Sequence, residues 1–173
     1  MKIIETDFNG LYLIEFHSVI DDRGFFLKPW VRSELKPFFG DNIETYFSSS
    51  EKGTLRGLHY QIGSHAQDKF VVCISGNIID LAVDLRKGSD TYGETFRYKL
   101  SNKSYGVIVP KGFAHGIYAE SDAIITNFCS APYSPKHEKG INWSSIKSLN
   151  DLNVTKLSDK DSILPNIEDI LNE

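Results

Sequence analysis

The sequence has no apolar run near the roughly 20 residues that a membrane-spanning helix needs. It also lacks any block of like charges, and its net charge of −4 argues against a nucleic-acid-binding surface. The segment MKIIETDFNG has neither the apolar core nor the cleavage site of a secretory signal peptide. We therefore expect a protein that stays in the cytoplasm and binds neither membranes nor nucleic acids.

Cysteine is scarce. The chain of 173 residues has two, Cys73 and Cys129, and each lies in an apolar, strand-like run. Cytosolic disulfides are rare, and a free cysteine behaves as a small apolar residue. We interpret both side chains as buried free thiols.

Length and composition suit one domain over residues 1–173, with 40% hydrophobic and 24% charged residues. Short strand-like runs recur, separated by turn signals such as DDRG, at 11–19, 43–49, 54–61, 69–75, 78–86, 95–101, 105–110, 115–120 and 123–130. This spacing predicts an all-β sandwich or barrel. The segments 31–39, which Gly40 ends, and 166–173 favour short helices.

The run IIDLAVDLR at 78–86 carries polar side chains on one face. With a strand's period of two, Asp80, Asp84 and Arg86 share that face, and apolar residues share the other. Two interpretations stay open: a surface strand with a solvated polar face, or a strand whose polar face lines a wet cavity inside a barrel. The tripeptide SGN at 75–77 predicts a hairpin between the flanking runs.

The run TLRGLHYQ at 54–61 poses a geometric problem. Arg56 and His59 are three residues apart, so a regular strand would point them to opposite faces. If both serve one pocket, the strand must be kinked or bulged, and Gly57 is where that distortion costs least. The alternative is a solvated Arg56 and a hydrogen-bonded core His59.

Several motifs in order resemble the dTDP-4-dehydrorhamnose 3,5-epimerase family. DDRGFF at 21–26 fits its N-terminal arm, and the other motifs lie at 55–61, 68–94, 109–119, 133–143 and 157–161. The resemblance implies a cupin-like jelly-roll barrel with short peripheral helices, usually a homodimer, with its pocket inside the barrel. Such enzymes invert carbons flanking the C4 ketone of a nucleotide-diphosphate sugar, and the resemblance implies no metal or organic cofactor.

The resemblance also implies residue roles. A proton beside a ketone is acidic only if the enolate is stabilised, so the site needs a base, a stabiliser and an acid on the opposite face. His59 matches the base, Asp161 the carboxylate that orients it, and Lys69 the cation that stabilises enolate charge. Arg23 is expected to reach across the dimer, and Tyr133 to stack on the nucleotide base. The positions that match substrate contacts in the family are Arg23, Arg56, His115, Tyr133, Glu138 and Lys160.

Several departures from the family fall in the site. Asn127 stands where the family has its general-acid tyrosine, and Lys28 stands where the family has a glutamate. Glu44 and Tyr46 replace the Gln and Asn of the family's Q-x-N pattern, and Val72 replaces a common arginine. We expect all of these residues except Val72 to contact substrate. An amide cannot act as the acid, so inversion needs another donor: the Tyr46 hydroxyl, or water held by Asn127. Tyr46 is otherwise a packed strand aromatic.

These residues predict an epimerase of a nucleotide-linked 4-keto sugar that inverts C3, C5 or both, in synthesis of cell-surface polysaccharide sugars. A ketoisomerase using the same enolate and a nucleotide-sugar binder without turnover are the alternatives. Many cupins hold a metal through a pattern such as H-x-H with a following Glu. His59 is followed by Tyr60 and Gln61, and His65 lies in a polar loop, so we predict no metal site.

Overall fold

The structure is a computed structural model that describes residues 1–41, 44–101 and 105–172. Within these ranges the chain forms β-strands and three short α-helices. The strands are β1 Lys2–Glu5, β2 Tyr12–Glu15, β3 Val19–Asp21, β4 Gly24–Phe26, β5 Glu44–Ser50, β6 Leu55–Gln61, β7 Lys69–Ser75, β8 Asn77–Asp84, β9 Thr95–Ser101, β10 Tyr105–Val109, β11 Phe113–Ala119, β12 Ala123–Cys129 and β13 Glu138–Gly140. The helices are α1 Arg32–Phe39, α2 Asp159–Ser162 and α3 Ile167–Leu171. None of the described helices is long and apolar enough to cross a membrane.

Two antiparallel sheets make up most of the fold. One has six strands in the order β1-β2-β10-β7-β12-β5, and the other has five in the order β13-β6-β11-β8-β9. Inward-facing side chains of both sheets form the central apolar cluster, among them Val71, Ala82, Phe113 and Ile125. The expected all-β fold with short peripheral helices is confirmed.

The outer face of the five-stranded sheet is buried as well. Ile79, Leu81 and Val83 of β8 pack against Leu149 and Ile167 of the C-terminal segment. Strand β8 therefore has apolar neighbours on the side where an exposed sheet would meet water.

The polar face of β8 points inward, so the interpretation of a solvated face is wrong. Asp80 and Asp84 are fully buried. Asp84 accepts hydrogen bonds from Arg86, Ser89 and Thr91. Burial alone would raise the pKa of Asp84, but these hydrogen bonds outweigh it and hold that pKa well below its usual range.

Two local predictions differ from the structure. The run 11–19 is split, because β2 ends at Glu15 and the chain leaves the sheet to form the separate β3–β4 hairpin. The predicted SGN hairpin is wrong, since β7 and β8 enter different sheets. Gly76 makes this crossing with φ +82°, and a Cβ there would lie 2.1 Å from the Asp122 carbonyl oxygen. Position 43 of the run 43–49 and position 173 of the C-terminal helix lie outside the described residues.

Both cysteines are free and buried, as expected. Burial raises the pKa of Cys73 and of Cys129 to about 11 in each case. We expect neither thiol to react with an aromatic disulfide reagent at pH 8 in the native protein, and both to react after unfolding in guanidinium. One fast-reacting thiol per native chain would contradict this burial.

Candidate active site

A cavity of about 510 Å³ lies where inward-facing side chains of the two sheets meet. The five-stranded sheet contributes Arg56, His59 and His115, and the six-stranded sheet contributes Tyr46, Lys69 and Asn127. Asp161 and Lys160 reach the same cavity from α2. Eleven of the site residues predicted from the sequence therefore line this cavity or its neighbour, which has a volume of about 430 Å³. 

Three side chains line both cavities: Tyr46, His59 and Lys69. They therefore lie at the junction, with two of them on one sheet and His59 on the other. The second cavity adds Glu44, Tyr133 and Glu138. A substrate larger than a monosaccharide has room to extend from one cavity into the other.

A bulge in β6 brings Arg56 and His59 to one cavity. His115 of β11 lies opposite His59, and Ile117 lies opposite Arg56, so three steps along β6 match two along β11. Gly57 lies within the bulge with φ +110° and precedes a cis peptide bond. A Cβ at Gly57 would lie 2.7 Å from the His115 carbonyl oxygen, so the close approach of the two strands requires glycine.

His59 is hydrogen-bonded to a carboxylate 102 positions further along the chain. His59 Nε2 lies 2.7 Å from Asp161 Oδ1, and the Gly57 N–H donates to Asp161 Oδ2 at 3.2 Å. Burial opposes ionisation of Asp161, but hydrogen bonds from His59, Gly57 and Ser158 outweigh it and lower its pKa. An ionised Asp161 can only accept, so Nε2 carries the proton and Nδ1 of the neutral ring is left as a base.

Ser158 was not identified from the sequence, although it positions Asp161. Its side chain caps α2 by accepting a hydrogen bond from the Asp161 N–H at 3.1 Å. The pattern Ser158-x-x-Asp161 is typical of a helix N-terminus, so the signal was present in the sequence. The capped turn holds Asp161 against β6.

His115 belongs to a second buried pair. Its Nε2 lies 2.9 Å from Asp80 Oδ2, and both side chains are buried. Asp80 Oδ1 has no hydrogen-bond partner within the described ranges. Asp80 itself does not line the cavity, but it orients the His115 imidazole, which does. The polar face of β8 is therefore connected to the cavity through this histidine.

Lys69 begins β7 on the face that points inward. Burial lowers the pKa of Lys69, while nearby acidic groups, including Glu138 and Asp80, oppose that shift. Val72 points to the opposite face of β7 and packs beneath α1 with Leu35 and Phe39. The family's arginine position is thus part of the outer core here.

A hydrogen-bonded group surrounds the second cavity. The Tyr133 hydroxyl donates to Glu138 Oε2 at 2.7 Å, and the Lys160 ammonium donates to the same oxygen. The Tyr133 N–H donates to Glu44 Oε2 at 2.7 Å. Glu138 Oε1 lies 3.7 Å from His59 Nδ1, which connects this group to the histidine.

Arg23 and Lys28 do not line the two cavities. Arg23 lies in the turn of the β3–β4 hairpin, where it pairs with Asp21, and Lys28 is exposed just beyond it. Their substrate contacts therefore stay predictions. Across residues 1–41, 44–101 and 105–172, no group of three or more His, Cys, Asp or Glu side chains is placed to hold a metal ion.

The chain is similar to several known proteins. The family model described as dTDP-4-dehydrorhamnose 3,5-epimerase matches residues 5–169. The dTDP-4-dehydrorhamnose 3,5-epimerase of Shigella flexneri is 37% identical over 93% of this chain and 93% of its own. The crystal structure of the Bacillus anthracis enzyme of that name, with TDP and pyrophosphate bound, superposes with a TM-score of 0.86 at 38% identity, covering 96% of this chain and 99% of its own.

A third relative binds a sugar nucleotide. The dTDP-6-deoxy-D-glucose-3,5-epimerase of Legionella pneumophila, in complex with dTDP-4-keto-L-rhamnose, has a TM-score of 0.86 at 34% identity, covering 96% of this chain and 93% of its own. The two-sheet fold with its internal polar cavity defines a cupin-like protein. Within that class, the chain belongs to the dTDP-4-dehydrorhamnose 3,5-epimerase family.

Proposed function

We propose that this protein is an isomerase that inverts both carbons flanking the ketone of a dTDP-linked 4-keto-6-deoxy sugar. The observation that carries the proposal is the His59–Asp161 pair, placed on one wall of a cavity whose other wall holds a lysine. Relatives of similar length carry the name of this activity, and one solved relative holds dTDP-4-keto-L-rhamnose.

The chemistry begins with loss of a proton from C3 or C5. His59 Nδ1 takes the proton, the C–H electron pair moves toward the C4 carbonyl, and the ketone becomes an enolate. Asp161 holds the imidazole and stabilises the imidazolium that forms. Lys69 stabilises the enolate oxygen, because a cation fixed in the wall of a cavity acts more strongly there than it would in water. Return of a proton to the opposite face completes inversion.

The nucleotide would occupy the second cavity. The half-exposed ring of Tyr133 offers a stacking surface, and its hydroxyl is fixed by Glu138. Arg56 is held by Ser49 and Ser50 through hydrogen bonds of 2.8 Å, which orients its guanidinium at the rim of the first cavity. We assign Arg56 to the diphosphate, since a guanidinium matches phosphate geometry.

We also propose that the protein is a homodimer. The β3–β4 hairpin exposes Val19, Ile20 and Phe26, although apolar side chains of this size are usually covered. A second copy covering the hairpin would bring Arg23 and Lys28 toward a neighbouring site. Sedimentation equilibrium of the native chain tests this assembly, and a monomer at micromolar concentration would refute it.

The function is tested by incubating the protein with dTDP-4-keto-6-deoxyglucose in D₂O and following C3 and C5 by NMR. We expect deuterium at both carbons together with inversion. Inversion at one carbon would support the second candidate, a single-carbon epimerase, which Asn127 in place of the family's tyrosine favours. Migration of the carbonyl would indicate a ketoisomerase. A protein that binds dTDP but exchanges no hydrogen would be a binding homologue.

A further inference from the structure

Asn127 occupies the position of the family's acid but is unsuited to that role. The side chain is only 2% exposed and lines the first cavity. Its Oδ1 has no hydrogen-bond partner within the part of the chain that the structure describes. A buried, unpaired carbonyl oxygen accepts a hydrogen bond from a ligand hydroxyl. Asn127 therefore has the properties of a sugar-binding group, and the acid must be supplied by another residue.

A tyrosine lies beside this position on the neighbouring strand. In the antiparallel pair of β12 and β5, Tyr46 is the residue directly opposite Asn127. Directly opposite residues project to the same face of a sheet. Tyr46 lines the first cavity together with Asn127, and it also lines the second. The phenol of Tyr46 therefore lies on the same wall of the cavity as position 127, where the family has its tyrosine, but it comes from β5 and not from β12.

The Tyr46 phenol and the His59 base lie on facing sheets, on opposite sides of the cavity. His59 belongs to the five-stranded sheet, whereas Tyr46 belongs to the six-stranded sheet, and both lie at the junction of the cavities. A sugar ring bound between the sheets would present one face to each residue. Inversion requires this arrangement, because one group must remove the proton and another must deliver it from the other side.

We propose that Tyr46 is the general acid, which delivers a proton to the face of the enolate carbon opposite His59. The assignment rests on the proposed function. In this step the Tyr46 O–H bond breaks, a C–H bond forms, and the enolate returns to the ketone. The Tyr46 phenolate then takes a proton from water, and His59 releases its proton to water. The reaction is a net isomerisation without oxidation or reduction.

The electrostatic surroundings suit a donor that must hold its proton until it is needed. Partial burial raises the pKa of the Tyr46 phenol, and the carboxylates of Glu138 and Glu44 raise it further, whereas Arg56 opposes the shift. The phenol is therefore protonated at neutral pH. Lys69, which lines both cavities with Tyr46, supplies positive charge for the transient phenolate.

The test is Tyr46→Phe, assayed in D₂O with dTDP-4-keto-6-deoxyglucose. The change removes one oxygen from a side chain that is 46% exposed, so the fold should be retained, and thermal unfolding with dTDP binding checks this. We expect inversion to fall by about 10²–10⁴-fold, while His59 still exchanges hydrogen on its own face with retained configuration. Tyr98→Phe in β9, away from both cavities, is the matched control and should invert at the wild-type rate.

The outcomes separate the acid assignment from the proposed function. If Tyr46→Phe inverts at the wild-type rate, the proton comes from elsewhere and the assignment is wrong. Loss of exchange and inversion in equal measure, with dTDP binding intact, would also overturn it, because an acid is not needed for removal of the first proton. A wild-type protein that exchanges no hydrogen overturns the proposed function, and the assignment of Tyr46 with it.

Discussion

Replacing His59 by asparagine is expected to abolish both deuterium exchange and inversion, a loss of at least about 10²–10⁴-fold. The Nδ1 atom is the base in the proposed mechanism, and an amide nitrogen has no comparable basicity. The Gly57 N–H still donates to Asp161 in this variant, so the buried carboxylate keeps a partner and the fold should be retained. The rate is measured by NMR in D₂O with dTDP-4-keto-6-deoxyglucose.

The control for this variant is His17→Asn, which changes an exposed histidine outside both cavities and should leave the rate unchanged. The comparison with Tyr46→Phe is more informative. The asparagine at position 59 should stop exchange as well as inversion, whereas phenylalanine at position 46 should stop inversion alone. Exchange at the wild-type rate in His59→Asn would mean that another group is the base.

Local sequence rules explain part of the site. The three-residue spacing of Arg56 and His59 predicts a distortion at Gly57, and the structure has a bulge there. This inference succeeds because strand periodicity leaves only one way to bring both side chains to one cavity. The α1 helix ending at Gly40 and most strand positions follow from similarly local patterns.

Pairings across the fold do not follow from such rules. His59 and Asp161 lie 102 positions apart, and only the family resemblance connected them before the structure did. The register that puts Tyr46 opposite Asn127 is likewise set by the pairing of distant strands, which no local pattern encodes. The SGN turn shows the same limit, because turn chemistry does not specify which sheet the next strand joins.

Burial on both faces of β8 has a related cause. Alternation of polar and apolar residues usually indicates a half-exposed strand. Here the C-terminal segment covers the apolar face, while Asp80 is paired with His115 on the other. The composition of β8 does not reveal which distant segment packs on it, so its environment is a property of the whole fold.

Substituting Gly57 by alanine is expected to destabilise the protein by about 3 kcal/mol or more and to remove activity. A residue with a side chain is strained at φ +110°, and such strain costs about 1–3 kcal/mol. The new Cβ would also lie 2.8 Å from the Gly116 Cα and 2.7 Å from the His115 carbonyl oxygen, and overpacking of this kind adds about 1–3 kcal/mol. Relief of that contact moves β6 away from β11.

Activity should fall in the molecules that still fold, because the same backbone segment holds the base. The Gly57 N–H donates to Asp161, and the bulge sets the direction of His59. Gly88→Ala is the matched control, since Gly88 has φ +89° but nothing within 4 Å of the added Cβ. Urea unfolding of both variants measures the difference. If the two variants unfold at the same urea concentration, the close contact between β6 and β11 at Gly57 does not constrain the fold. The bulge would then need an explanation other than close packing against β11.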